Sequence, residues 1–288
     1  MVSQVAHKSR QEVIYTPESR VRHPIQMLKE MLTDLFLSRE LAWRLLSRDI
    51  RSQYRSSFLG IFWAIIPPSL TAVGLTFAQS TGLVNVDKTD IPYPAYVMLG
   101  TILWQTFLES LNSPQRAINT SRPLLAQVKF PHEAIILAQL GQVLFNLSIK
   151  LALLVALFLL FKVSISWTII FAPIAFILLI LLGLSIGLWL VPLVNLVQDV
   201  SRSMEVITLV WFFLTPIVYP TPTRGILSIL VKLNPVSPLV VTTRELITTG
   251  NLSQFPLFLI MSALVLVGLV LGWTIYRLSI PFLIERIS

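Results

Sequence analysis

The chain has 288 residues, of which 55% are hydrophobic and 12% are charged. Soluble domains carry about 25% charged residues, so this composition excludes an ordinary water-soluble enzyme. From residue 134 to residue 198 the only ionisable side chains are Lys150 and Lys162. Such a stretch suits a bilayer, where each spanning helix needs about 20 apolar residues. The net charge of +8 indicates basic cytoplasmic loops and not a nucleic-acid partner.

Several kinds of chemistry are missing from the sequence. It contains no cysteine, which excludes disulfides and thiolate metal sites, and its three histidines (His7, His23 and His132) are too scattered for a metal centre. No Gly-x-x-x-x-Gly-Lys segment is present to cradle a nucleotide phosphate. We therefore predict no catalytic residue, no metal and no cofactor in this chain, and a function that moves a substrate.

The N-terminal part of the chain is first polar and then amphipathic. Residues 1–23 are predicted to form a cytoplasmic tail without the apolar core of a signal peptide. Residues 24–46 are predicted to form an interface helix in the headgroup layer, with a helix packed on a cytoplasmic partner as the alternative. Arg48, Arg51 and Arg55 follow as a basic run that attracts anionic lipid. The apolar face of the interface helix consists of Leu28, Met31, Leu32, Leu35, Phe36, Trp43 and Leu46.

Six apolar segments predict an all-α integral membrane protein with six transmembrane helices in a single domain, residues 24–288. The segment after the fifth span, residues 220–253, is apolar but interrupted by proline and glycine. Two short re-entrant helices, at about 225–233 and 238–249, fit it better than full spans. The six predicted spans are residues 58–80, 94–113, 134–161, 166–194, 204–219 and 254–278.

The distribution of basic residues orients the protein. An even number of spans places both termini on one side of the membrane. Sixteen of the lysines and arginines then lie on that side, against five on the other. Because positive residues collect on the cytoplasmic side, both termini are predicted to be cytoplasmic, with Lys88 and residues 220–253 outside.

Two predicted cytoplasmic loops contain short polar segments, residues 129–133 before the third span and residues 199–205 before the fifth. Each segment has two readings. It can be a contact site for another protein, or only the polar turn that every helical hairpin requires. The residues alone leave both readings open.

Three features of the apolar segments also have two readings. Aromatic side chains can stack on sugars or lie at the bilayer interfaces. Gly183 and Gly187, like Gly268 and Gly272, have the spacing of close helix contacts, which is a weak signal in so apolar a chain. Lys150 lies about 24 Å into the third span at ~1.5 Å per residue. We expect its amine to reach the outer headgroups, and the alternative is that it lines a path.

Five segments in order resemble the signature of a known family. The chain from about residue 35 onward is similar to the permeases of ABC-type exporters of polysaccharide and polyol phosphate, which serve O-antigen, capsule and teichoic acid export. An exporter of drugs or smaller lipids with the same architecture is the alternative. The segments are RDIRSQYRSSFLGIFWAIIPP (residues 48–68), VKFPHEAIIL (128–137), NLVQDVSR (195–202), TPIVYP (215–220) and LNPVSPLV (233–240).

The resemblance implies a homodimeric channel in the bacterial plasma (inner) membrane. Two copies of a separate subunit would bind ATP and magnesium and open it, and the substrate would be a lipid-linked glycan. The residues implied to couple to the ATPase are Lys129, Phe130, Pro131, His132, Glu133, Asp199 and Arg202. Because aromatic faces offer a passing glycan weak contacts, the expected substrate path includes Phe62, Trp63, Trp104, Trp211, Phe212 and Tyr219.

The topology can be checked with single cysteines, since the native chain has none. In a Lys88→Cys variant, an impermeant maleimide should label the protein from the outside of intact cells. A matched cysteine in residues 1–23 should react only after the membrane is permeabilised. Labelling of position 88 solely from the cytoplasmic side would reverse the predicted orientation.

Overall fold

The structure, a computed structural model, describes residues 24–55, 60, 62–127 and 130–287. Within these ranges every regular element is helical and no strand occurs, which confirms the all-α prediction. In chain order the elements are α1 (Pro24–Leu37), α2 (Arg39–Arg55), α3 (Phe62–Ser80), α4 (Tyr93–Gln127), α5 (Glu133–Leu160), a 3₁₀ turn (Trp167–Phe171), α6 (Ala172–Leu196), α7 (Gln198–Leu214), α8 (Ile226–Leu233), α9 (Val236–Ile247) and α10 (Phe255–Ile287).

Four of the described helices are long and apolar enough to cross a bilayer: α3, α5, α6 with the 3₁₀ turn before it, and α10. A fifth crossing results only if α8 and α9, which are bent by 88°, count as one broken span. These helices confirm a multi-pass membrane protein. The second and fifth predicted spans fall on α4 and α7, which are not among the four. Helix α7 has only 17 residues, and Gln105 and Glu109 interrupt the apolar run of α4.

Helix α4 is longer than the sequence predicts. The predicted span ends near residue 113, whereas α4 has 35 residues and ends at Gln127. It continues through Pro114 and Pro123, each of which removes one backbone donor. Pro114 stays helical where α4 packs against Gly187 of α6. The polar residues that begin after the predicted span therefore do not mark a helix end.

Two helices occupy residues 24–46, where the sequence predicted a single interface helix. Ser38 separates α1 from α2, and its hydroxyl donates to the carbonyl oxygen of Asp34 at 2.6 Å. Such a bond from serine back to the preceding turn bends helices. The predicted apolar face is divided as well, since Met31 is fully buried. The exposed apolar side chains of the two helices include Leu32, Phe36, Leu37 and Trp43.

Helix α6 packs between α4 and α10 at the centre of the bundle. A Cβ atom at Gly183 would lie 2.6 Å from the carbonyl oxygen of Phe107, and one at Gly187 would lie 2.2 Å from that of Leu111. On the other side of α6, a Cβ atom at Gly272 of α10 would lie 3.0 Å from a backbone carbonyl oxygen of α6. Glycines at this spacing let membrane helices approach closely, so the weak sequence signal marks real contacts.

These contacts make the effect of an added methyl group depend on its position. In an exposed helix, replacing glycine with alanine stabilises by about 1 kcal/mol. We expect that gain for Gly74→Ala, because nothing lies within 4 Å of the new Cβ atom. At Gly187→Ala the methyl group overlaps a backbone carbonyl, so we expect a loss of about 1–3 kcal/mol. Unfolding in mixed detergent micelles measures both variants, and a stabilised Gly187→Ala protein would contradict this packing.

Candidate functional site

Residues 130–133, the described part of the predicted first coupling segment, form a tight turn at the start of α5. The backbone N–H of Ala134 donates to the carbonyl oxygen of Pro131 at 3.1 Å. The ring of Phe130 meets that of His132 edge-on, with 5.8 Å between centroids, and packs on a buried cluster that includes Tyr276 of α10. The segment is therefore held against both α5 and α10. Lys129, which was also predicted to couple, lies outside the described residues.

Two side chains of the first coupling segment face protein more than water. Burial, and to a smaller extent the positive charge of Arg277, lower the pKa of His132 from its usual value, so the imidazole is neutral at pH 7. The Glu133 carboxylate is 7% exposed and accepts a hydrogen bond from Arg277 at 3.3 Å. Glu133 therefore contacts the bundle. The part of the segment left for a partner is the half-buried surface of Phe130, Pro131 and His132.

The second predicted coupling segment is the elbow between α6 and α7. Val197 has an extended backbone between the two helices, and Asp199 and Arg202 lie exposed near the start of α7. The helix dipole favours an acidic residue there. The side chains of Asn195 and Gln115 exchange two hydrogen bonds, at 2.8 and 3.2 Å, and tie the elbow to α4. Contact of either segment with an ATPase remains a prediction.

Three of the predicted path residues come together in an aromatic cluster between α4 and α7. The ring of Trp104 lies 5.8 Å from that of Phe212 and 6.3 Å from that of Trp211, both edge-to-face. Phe107 completes the cluster, 5.4 Å from Trp211. The Trp211 indole donates to the side chain of Asn234 at 2.8 Å. Trp104 is only 4% exposed, so within a single chain this cluster belongs to the core.

The other three predicted path residues lie apart from this cluster. Phe62 and Trp63 project from the start of α3 and are 62% and 57% exposed. Tyr219 follows the end of α7 and donates its hydroxyl to the carbonyl oxygen of Phe213 at 2.8 Å. Its own carbonyl accepts from the hydroxyl of Tyr96 at 2.9 Å. The six rings therefore do not form one surface within a single chain.

Arg244 of α9 is a buried cation that the sequence did not single out as a site. Its guanidinium carbon lies 3.9 Å from the ring centroid of Tyr96, and Nη1 donates to the hydroxyl of the same residue. Nη2 donates to the carbonyl oxygens of Pro216 and Ile217 at 3.0 and 2.9 Å. The ring and the carbonyls replace water around a charge that is 5% exposed. Arg244 thereby fixes the non-helical residues after α7 to α4 and α9.

Lys150 of α5 is a second buried cation. The expectation that its amine reaches the outer headgroups is therefore wrong. Lys150 is 1% exposed, and its Nζ lies 2.6 Å from Oε1 of Glu109 on α4. Asn146 donates to the other Glu109 oxygen at 3.2 Å, and Gln142 bridges Asn146 and Gln53 of α2 at 3.2 and 2.9 Å. This polar chain pairs the Lys150 charge inside an apolar bundle. It leaves the buried Oε1 of Gln142 without a hydrogen-bond partner among the described residues. The sequence did contain a sign of this contact, because these polar residues of α5 are spaced four apart and therefore lie on one face of the helix.

The basic run of α2 borders an open cavity of about 590 Å³. Two of the arginines that line the cavity are already paired, Arg48 with Asp49 at 2.8 Å and Arg44 with Glu40 at 2.6 Å. Guanidinium groups along one helix face suit the phosphates of anionic lipid. The cavity is lined by Trp43, Arg44, Ser47, Arg48, Arg51, Ser52 and Arg55.

Helices of membrane length, together with charged side chains that are buried and paired between helices, define a multi-pass membrane protein. The profile of the ABC-2 type transporter family matches residues 40–248. Since the match covers most of the chain, this protein belongs to the ABC-2 type transporter family and is a transport subunit.

Named relatives agree with the family match. The O-antigen export system permease protein RfbA of Myxococcus xanthus is 25% identical over 248 residues, which cover 84% of this chain and 92% of that protein. Two O-antigen export system permease proteins RfbA of Klebsiella pneumoniae are 24% and 22% identical over 213 residues, covering 72% of this chain and 80% of each relative. The resemblance noted in the sequence is thereby confirmed.

The buried pair of Lys150 and Glu109 allows a test of the polar chain. Removing one partner of a buried ion pair costs about 3–5 kcal/mol, because the other charge is left uncompensated. Glu109 is 20% exposed, so we expect Lys150→Met to lose an amount near the lower end of that range. Adding Glu109→Leu should recover much of the loss.

Lys162→Met, which changes an exposed lysine, is the matched control. Unfolding of the purified variants in mixed detergent micelles gives the comparison. Equal stability of Lys150→Met and Lys162→Met would contradict the assignment of a buried pair.

Proposed function

We propose that this chain is the transmembrane subunit of an ATP-driven exporter that moves lipid-linked polysaccharide out of the cytoplasm across the bacterial plasma membrane. The observation that carries the proposal is the similarity, over 84% of the chain, to a protein named as an O-antigen export permease. The five family segments of the sequence extend from residue 48 to residue 240 and support the same assignment.

The proposed topology has six spans and cytoplasmic termini. The first part of α4 becomes compatible with a bilayer because its acidic residue, Glu109, is paired with Lys150. Helix α7 is about 26 Å long at ~1.5 Å per residue, close to the hydrocarbon thickness of about 30 Å, and residues 215–219 extend it. Helices α8 and α9, at about 12 and 18 Å, are each too short to cross. Their bend of 88° supports a re-entrant pair on the outer side.

ATP hydrolysis is assigned to a separate subunit, present in two copies. The sequence contains no phosphate-cradling loop to hold a nucleotide. The two coupling segments suit a contact with such a subunit, because both are fixed to long helices. The first coupling segment is joined to α5 and α10, and the elbow is joined to α4. A displacement of either turn therefore reaches the bundle without an intervening flexible loop.

A homodimer would complete the channel. Helices α3 and α7 expose apolar side chains that no other described part of the chain covers. A second copy would cover some of them and lipid the remainder, which places Phe62 and Trp63 beside the proposed path. The exposed side chains are Phe62, Trp63, Leu70, Val73 and Phe77 on α3, and Val206, Ile207, Leu209, Val210 and Phe213 on α7.

Helices α1 and α2 are assigned to the cytoplasmic headgroup layer. They combine exposed apolar side chains, among them Phe36 and Trp43, with the arginine-lined cavity of α2. A helix pair with one apolar face and one basic face is stable where acyl chains meet anionic headgroups.

Surface polysaccharide in cells tests the proposed function. Deleting the gene should remove the polymer from the cell surface and leave it inside, and the wild-type gene should restore export. His132→Glu should block export at normal membrane levels of protein, because it places a charge on the half-buried surface that is proposed to meet the ATPase. Lys162→Met, outside this region, should export normally.

Two further results complete this test. The purified chain alone should not release phosphate from ATP, and the complex with its partner subunit should. A deletion strain with unchanged surface polysaccharide would contradict the proposed substrate.

A further inference from the structure

Three charged side chains from distant parts of the chain meet beside the first coupling segment. Arg277 of α10 donates from Nη2 to Oδ2 of Asp34 on α1 at 2.5 Å, and from Nη1 to Oε1 of Glu133 on α5 at 3.3 Å. The side chains of Arg277, Glu133 and Asp34 are 13%, 7% and 32% exposed. The group is therefore largely shielded from water, and it joins three elements that are 144 and 243 residues apart.

The charges make the arginine the indispensable member of this triad. Two carboxylates share one guanidinium, whose planar fork lets each terminal nitrogen serve a different partner. Without Arg277 the two carboxylates would face each other in a poorly hydrated place, which is strongly unfavourable. Without the Asp34 charge, by contrast, a neutral pair of Arg277 and Glu133 remains. Asp34→Asn thus weakens the link to α1 and leaves the pairing of α5 with α10 in place.

The triad adjoins the segment that is proposed to meet the ATPase. Glu133 directly follows Phe130, Pro131 and His132, and the turn they form is closed onto α5. Phe130 also packs on the cluster that contains Tyr276 of α10. A displacement of the first coupling segment is therefore passed to α5 and α10 by the backbone and by apolar packing.

Helix α1 is connected to this unit by its junction with α2, whose Leu45 lies in the same buried cluster, by apolar packing and by one ion pair. Met27 and Met31 are buried side chains of α1, and apolar packing of this kind holds two surfaces together but permits sliding. The ion pair of Asp34 with Arg277 is directional, since its energy depends on the placement of particular atoms. Helix α1 also exposes Leu32, Phe36 and Leu37, which suit the headgroup layer.

The geometry points to Arg277 as a positioning residue that makes α1 move together with the first coupling segment when the ATPase acts. The inference rests on the proposed function, because it takes residues 130–133 as the contact with that subunit. Asp34 carries the movement to α1, and Glu133 fixes the guanidinium to the start of α5. Through this link, α1 and α10 would also move in response to ATP.

A fluorescent probe on α1 tests this link. Phe36→Cys gives this chain a single exposed thiol, because the native chain has no cysteine. The permease is labelled with an environment-sensitive maleimide dye before it is assembled with its ATPase subunit and reconstituted in lipid. Adding ATP should change the dye emission. Asp34→Asn and Arg277→Gln should remove most of that change, because each breaks the directional link to α1, and Arg277→Lys should have an intermediate effect.

The matched control is Glu40→Gln, which removes the exposed pair of Glu40 and Arg44 on α2 and should leave the emission change intact. ATP hydrolysis by each complex shows that the subunits are assembled. The inference is overturned if Asp34→Asn keeps the full ATP-dependent change, because packing alone would then carry α1. It is also overturned if the labelled Phe36→Cys complex, with Asp34 and Arg277 unchanged, hydrolyses ATP and shows no emission change.

The readout separates this inference from the proposed substrate, because neither dye emission nor phosphate release requires a glycan. A complex in which α1 responds to ATP through Asp34, in cells whose surface polysaccharide does not depend on the gene, would support the link and contradict polysaccharide export. Normal export together with an unaltered emission change in Asp34→Asn would support the export function and overturn the link.

Discussion

The bundle depends on how closely α6 approaches its two neighbours. At Gly187 the backbone of α6 meets that of α4, and at Gly272 the backbone of α10 meets that of α6. In a bilayer, lipid is as apolar as a helix surface, so association relies on such van der Waals contact and on hydrogen bonds between helices. The hydroxyl of Ser110 supplies one of these bonds, at 2.6 Å from the carbonyl oxygen of Ile180. The other described helices are arranged around this group of three, with α5 against α4 and α9 against α6.

Length and composition were sufficient to predict the helical class, four membrane-length helices and the two short helices before α10, because these properties decide whether a segment suits a bilayer. Helix ends were not predictable in the same way. Helix α4 continues through Pro114 and Pro123, although proline removes a backbone donor and commonly ends or kinks a helix, so local composition alone misplaces its end. The helix boundary at Ser38 likewise leaves no mark in the hydrophobic periodicity, which continues across it.

The family segments located both polar turns, but the surroundings of their side chains could not be predicted. Glu133 is held by Arg277, which is 144 residues away, and the spacing of neighbours says nothing about so distant a partner. Trp104 was predicted to line a path, yet it is buried against α7 because the two helices pack together there. The polar residues on the same face of α5 could have indicated that Lys150 is buried in a polar contact. Its partner, Glu109, is a lone carboxylate on another helix, and nothing in the sequence marked it as the partner.

Arg244 has a consequence for how the protein is made. A buried guanidinium is stable only where polar groups replace the water around its charge. Its acceptors, the carbonyl oxygens of Pro216 and Ile217 and the hydroxyl of Tyr96, belong to parts of the chain that the ribosome completes earlier. When α9 emerges, the groups that accept its charge are already present. The order of translation therefore matches the order in which this charge can be accommodated, and a circular permutant that began with α9 would present the guanidinium to lipid before any of its acceptors existed.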